Sequence, residues 1–225
     1  MDKNIPVSEP IMRTFLAIEF SSSIHQQLEI IRNDIRGHLR SQNAPDCLRW
    51  SPLHNTHLTL RFLGETTAAQ AQTIATGLHE AASNQQPFTL TLGTIGGFPK
   101  LKSPRVLWLG IKDDLPQLQA LQSEIEQMVQ LVGFPAERRA YTPHVTLARA
   151  SKRATKSDLQ QIGRLLQGYV AKEGEKRQKQ KPLQMHVDEV VHMQSTLQTG
   201  GSIYTSLATF RLNNRCNQRT SKICS

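Results

Sequence analysis

Cysteine is scarce in this 225-residue chain. Cys47, Cys216 and Cys224 lie far apart, with no metal-ligand spacing among them. That argues against a disulfide-stapled scaffold and a thiolate metal site, and it suits a reducing cytosol. Long apolar runs are missing too. No stretch reaches 18 apolar residues, and Met1-Asp2-Lys3-Asn4-Ile5-Pro6 has no apolar signal region. A cytoplasmic protein with no membrane span is expected. No His-x-x-x-His or His-x-x-Glu-His occurs, so neither a metal nor another cofactor is expected. Acid is in deficit: 27 basic residues face 18 acidic ones, for a net charge of +9. Such a balance points to a polyanionic partner, nucleic acid first.

What is present is a repeated histidine strand. His57-Leu58-Thr59-Leu60 returns as His144-Val145-Thr146-Leu147. His-x-Thr alone is weak evidence, because His54-Asn55-Thr56 also fits. Requiring a following Leu leaves two copies, where composition alone predicts well under one. Each ends a loop near a proline and opens an alternating strand. Residues two apart on a strand share a face. Each imidazole therefore lies beside a Thr hydroxyl, while Leu58 with Leu60, and Val145 with Leu147, face the other way.

The rest of the chain is predicted to repeat one pattern. Residues 1–11 are a polar, flexible arm. A buried strand over 13–19 is followed by a helix over 23–40, capped from the Ser21-Ser22-Ser23 run. A loop with Pro45 leads to Arg49-Trp50. The first His strand covers 57–63 and is ended by Gly64. A helix over 67–83 and a strand over 88–92 come next, then a loop from 93 to 104. The pattern restarts with a strand over 105–111, a helix over 115–132, the second His strand over 144–149 and a helix over 155–170. Strands over 183–191 and 203–212 close it. The two His are 87 residues apart, the signature of a diverged duplication. Two lobes about a pseudo-two-fold axis are expected to bring the His strands face to face. Residues 172–182 read as a basic insert and 213–225 as a basic tail.

These motifs resemble the 2H phosphoesterases, and among them the RNA 2′,3′-cyclic phosphodiesterases also called 2′-5′ RNA ligases. The resemblance covers about residues 13–212. It rests on Arg13-Thr14-Phe15-Leu16-Ala17-Ile18, Arg49-Trp50, the segment from His57 to Glu65, Phe98-Pro99, the segment from Pro104 to Gly110, and the segment from Pro143 to Arg149. It implies one bilobal α+β domain over 12–212, with two antiparallel sheets lining a central cleft and helices outside. It implies a hydrolase acting on RNA ends or nucleotides that carry a 2′,3′-cyclic phosphate, as a monomer. His57 would be the proton donor and His144 the proton acceptor. The residues alone do not order those two roles.

Imidazole suits the task, because one neutral and one protonated ring can work on opposite sides of phosphorus near neutral pH. The hydroxyls of Thr59 and Thr146 can donate to the non-bridging oxygens. The family places a phosphate-contacting Arg at Arg149, and Arg61 is a parallel candidate on the first strand. Phe62, Tyr204, Phe98 and Trp50 are candidates to stack on a base, whereas Trp108 reads as core. Two rivals remain at this point. A non-catalytic RNA-binding protein of the same fold would need neither His. A metallohydrolase using His54, His57 and a carboxylate would be sensitive to chelation. A phosphodiesterase acting on small cyclic nucleotides is a further substrate alternative.

Overall fold

The computed structural model describes residues 10–112, 116–177, 182–199 and 201–213. The predicted N-terminal arm and basic tail lie almost wholly outside them, as does part of the basic insert.

Among the described residues, nine strands and four α-helices fold as α+β around two antiparallel sheets. In chain order the first half contains β1 (Ile11–Glu19), α1 (Ser22–Ser41), β2 (Leu48–Trp50), β3 (His57–Thr67), α2 (Ala68–Ser83) and β4 (Phe88–Phe98). The second contains β5 (Val106–Lys112), α3 (Pro116–Leu131), β6 (His144–Ala150), α4 (Lys156–Arg177), β7 (Leu183–Val187), β8 (Glu189–Gln198) and β9 (Gly201–Arg211).

Local chemistry sets the helix starts. The Ser21 hydroxyl accepts from the Ile24 N–H at the head of α1. Thr67 and Gln70 form a reciprocal capping box on α2. The helical stripes then bury Ile24, Leu28, Ile35 and Leu39 on α1, Ile74 and Leu78 on α2, and Leu118, Leu121, Ile125 and Val129 on α3. On β3 and β6, Leu58, Leu60, Val145 and Leu147 are buried on the core side, as the alternation requires.

The first sheet has the order β3-β1-β8-β9 and the second β2-β6-β5-β4-β7. Leaving out the edge strand β2, the orders superpose: β3 with β6, β1 with β5, β8 with β4, β9 with β7. The pseudo-two-fold relation is therefore present, but each sheet mixes the halves. β4 of the first half pairs with β5, and β8 of the second pairs with β1. Helices cross over as well. α1 packs with α4 and β7, while α3 packs with α2 and β3. The swap ties the lobes into one body, since neither can close its sheet without strands from both halves.

Several expected boundaries move. Gly64 does not end β3. It sits within the strand at φ +77, a conformation few other residues take, and the strand runs on to Thr67. β4 continues through Gly96 to Phe98, where a loop was expected. A Cβ at Gly96 would lie 2.1 Å from the Trp108 ring, so the bare glycine lets that ring lie on the sheet. Arg49-Trp50, to which no element was assigned, forms a short edge strand with Leu48. The expected strand over 183–191 breaks at Asp188, because β7 joins the second sheet and β8 the first. Finally, α4 runs to Arg177, through the first residues of the presumed insert. No helix among the described residues is long and apolar enough to cross a membrane.

Candidate active site

The site forms on the sheet faces turned away from the helices. On the first sheet, His57 opens β3 opposite Glu19, and Thr59 lies opposite Ala17. Phe15, Ala17, Val191, Met193 and Tyr204 share this concave face as one cluster. The His57 ring stacks 4.7 Å from Phe15 and lies edge-on to Tyr204 at 5.1 Å. On the second sheet, His144 lies opposite Gly110 and Thr146 opposite Trp108. The His144 ring is edge-on to Phe98 at 4.9 Å and 6.0 Å from Trp108. Trp108, expected in the core, is thus a half-buried wall of the cleft. Trp50 is the converse: half-buried, it packs against the core.

Both imidazoles are held in the same way. His57 Nδ1 lies 3.0 Å from the Asn55 carbonyl, and His144 Nδ1 lies 2.7 Å from the Thr142 carbonyl. A carbonyl can only accept, so each Nδ1 carries the hydrogen and Nε2 is left for a substrate. In both motifs the carbonyl is that of the residue two before the His. Asn55 also donates its side-chain N–H to the Ser202 carbonyl at 2.8 Å, which ties the loop to the start of β9. Tyr141 donates to the Thr59 carbonyl at 3.2 Å and so links the loop before β6 to β3. Burial pushes its phenol well above the ordinary range.

Burial drives the His57 pKa down to about 4, against the opposing pull of the Asn55 carbonyl. The positive charges of Arg149 and His144 push the same way as burial. Burial and Arg149 also lower His144, against the Thr142 carbonyl. The two imidazoles and Arg149 therefore lie within each other's fields, although they stand on different sheets.

Bulges set which residues share the concave face beyond each His-x-Thr. The register slips by one between Leu16 and Ala17 opposite β3, and between Leu107 and Trp108 opposite β6. A slip of one exchanges the faces of every later residue. Phe62 and Arg149 therefore return to the concave face, opposite Phe15 and Val106. Phe62 is 59% exposed there, and with Phe15, Tyr204, Arg13, Thr14, Gly64 and Ser195 it lines a cavity of about 320 Å³.

The same slip turns Arg61 away, which corrects its expected substrate contact. Arg61 is 8% exposed, and its guanidinium lies 2.6 Å from the Glu126 carboxylate on α3 and also donates to the Phe62 and Pro135 carbonyls. Burial raises the Glu126 pKa, but the Glu137 N–H, Gln130 and Arg61 outweigh it and hold the carboxyl low.

Other histidines stand apart. His54 and His186 are exposed, and His38 packs on Tyr169. His192 is buried on the core side of β8, opposite Leu16. No group of three His, Cys, Asp or Glu among the described residues could hold a metal ion. Phe15, Asn55 and Tyr141 were missed from the sequence. The carbonyl two before each His left no mark in the sequence, because any residue supplies one, whereas Phe15 alternates with Arg13 and Ala17 on the concave face.

Known proteins are similar to this chain in sequence and fold. The family model described as the 2′-5′ RNA ligase superfamily matches residues 21–198. The RNA 2′,3′-cyclic phosphodiesterase of Aquifex aeolicus is 29% identical over 204 residues, covering 90% of this chain and 98% of that protein. The solved structure of E. coli LigT complexed with 3′-AMP superposes with a TM-score of 0.65 at 27% identity, covering 90% of this chain and 99% of that one. The protein TT0787 of Thermus thermophilus shares the fold, with a TM-score of 0.69 at 23% identity over 91% of this chain and all of that one. Since the matched segment is most of its length, this chain belongs to the 2′-5′ RNA ligase superfamily of 2H phosphoesterases.

Proposed function

We propose that the chain is an RNA 2′,3′-cyclic phosphodiesterase that opens the ring to a 2′-phosphate by two-histidine acid–base catalysis, without a metal. It would act on RNA ends, as a cytoplasmic monomer. The observation that carries the reading is the duplicated imidazole. Each ring spends its Nδ1–H on a loop carbonyl and offers Nε2 beside a threonine. Binding RNA alone would require neither.

In this mechanism neutral His144 takes a proton from water as the oxygen attacks phosphorus. The bond from phosphorus to the ribose 3′ oxygen breaks, and His57 Nε2–H gives that oxygen its proton. Phosphate stays on the 2′ oxygen. Burial, with Arg149, lowers both pKa values from the ordinary 6.5, so the neutral rings predominate at pH 7. The anionic cyclic phosphate favours an imidazolium, and one proton enters with the substrate. Thr59 and Thr146 donate to the non-bridging oxygens, and Arg149 offsets their charge. Phe62 and Tyr204 stack the base. A 5′-hydroxyl in place of water would join two RNA ends by the same step.

The names of the curated relatives support the substrate class. The test is turnover of a nucleoside 2′,3′-cyclic phosphate by the full chain with EDTA present. Undiminished turnover is expected, whereas a loss that zinc or magnesium restores would favour the metallohydrolase.

A further inference from the structure

Arg49 and Arg149 are direct cross-strand partners between β2 and β6. Side chains so paired point to the same face with Cβ atoms about 5 Å apart. For this pair it is the concave face, since Arg149 also lies opposite Val106, two residues along β5 from Trp108. Both arginines are exposed, and among the described residues neither is paired with a carboxylate. Arg61, in contrast, is neutralised by Glu126. Like charges directly opposite on a sheet repel and destabilise it. Two guanidiniums held side by side without an acid suit the binding of anionic groups. One of them, Arg149, already lies within the field of both imidazoles. Arg49 lies one strand farther out, on the edge of the sheet.

We infer that Arg49 binds the 5′-phosphate of the terminal nucleotide, the first backbone phosphate before the cyclic end, while Arg149 serves the reacting phosphate. The inference rests on the phosphodiesterase reading. It assigns to this chain a preference for RNA ends over nucleoside 2′,3′-cyclic phosphates, which have no 5′-phosphate. A planar guanidinium can grip that phosphate through two parallel N–H donors, which an ammonium cannot reproduce.

The test compares one nucleoside 2′,3′-cyclic phosphate with and without a 5′-phosphate, in wild type, Arg49→Ala and Arg49→Lys. In wild type the 5′-phosphate should improve kcat/KM by about tenfold, the order of one charge-assisted contact. Arg49→Ala should abolish that gain and leave the substrate without 5′-phosphate within twofold. Arg49→Lys should keep part of the gain. On a cyclic-phosphate-ended oligonucleotide, Arg49→Ala should also reduce the log–log salt slope by about 0.7. Equal losses on both substrates, or an intact 5′-phosphate gain in Arg49→Ala, would overturn the inference. If wild type opens neither substrate, the phosphodiesterase reading fails on its own. Calorimetric binding of a nucleoside 2′-phosphate with and without 5′-phosphate then still decides the role of Arg49 by the same comparison.

Discussion

Phe62 and Arg149 hold equivalent places in the two halves of the protein. Each follows its His by five residues, and each is returned to the concave face by a one-residue bulge, opposite Phe15 and Val106. The duplicated scaffold therefore carries an aromatic ring on one wall and a guanidinium on the other. Under the proposed function a base and a phosphate are the ligands of this pair, the base lying in the cavity beside Phe62.

Arg149 sets a pH dependence. Its charge lowers both His57 and His144, so Arg149→Gln should raise both. Values of kcat/KM report the free enzyme, and wild type should show a bell centred below pH 6.5, the ordinary histidine value. In Arg149→Gln both limbs should shift to higher pH, and activity should fall by at least tenfold. Limbs that stay in place would mean that the guanidinium does not face the imidazoles.

Arg61 should matter to stability instead of chemistry. Removing one partner of a buried ion pair costs about 3 kcal/mol. Arg61→Ala should lower the melting temperature markedly, while kcat/KM at low temperature stays within about threefold. A stable variant with little activity would return Arg61 to the substrate site.

The fate of Arg61 shows what the sequence could and could not reveal. Helical spacing and the Thr67 cap placed the helices to within a few residues, until α4 ran on to Arg177. The repeated His-x-Thr placed both imidazoles. Strict alternation, however, puts residues 57, 59 and 61 on one face, and a single-residue bulge leaves no trace in composition or period. Sheet membership was hidden too. Element order gives no sign that β4 and β8 exchange sheets, because pairing is settled by contacts far apart in sequence. The strand through Gly96 looked like a loop for the same reason. Its glycine is explained by Trp108, a residue on another strand.

His192 should make the fold acid-sensitive. It is 1% exposed, its Nε2 has no hydrogen-bond partner, and burial lowers its pKa to about 4. The unfolded chain binds the proton more readily, at the ordinary value of 6.5. Stability from the neutral ring is thus complete above pH 6.5 and is lost as pH falls toward 4. His192→Leu should melt near wild type at pH 7.5 and be more stable by about 2 kcal/mol at pH 4.5, from the shift of 1.36 kcal/mol per unit. An equal acid loss in wild type and variant would exclude His192 as a source of the sensitivity.

Under the proposed function, His57 and His144 act as one acid–base pair on a 2′,3′-cyclic phosphate. The most direct measurement is turnover of such a substrate by wild type, His57→Ala, His144→Ala and the double variant, with the product identified by phosphorus NMR. Each single variant should lose about 10²–10⁴ in rate, and the double should be little worse than the poorer single, because the two rings work as a unit. Wild-type product should be the 2′-phosphate. Near-normal turnover in either single variant with a native circular dichroism spectrum, or a predominant 3′-phosphate, would contradict the account.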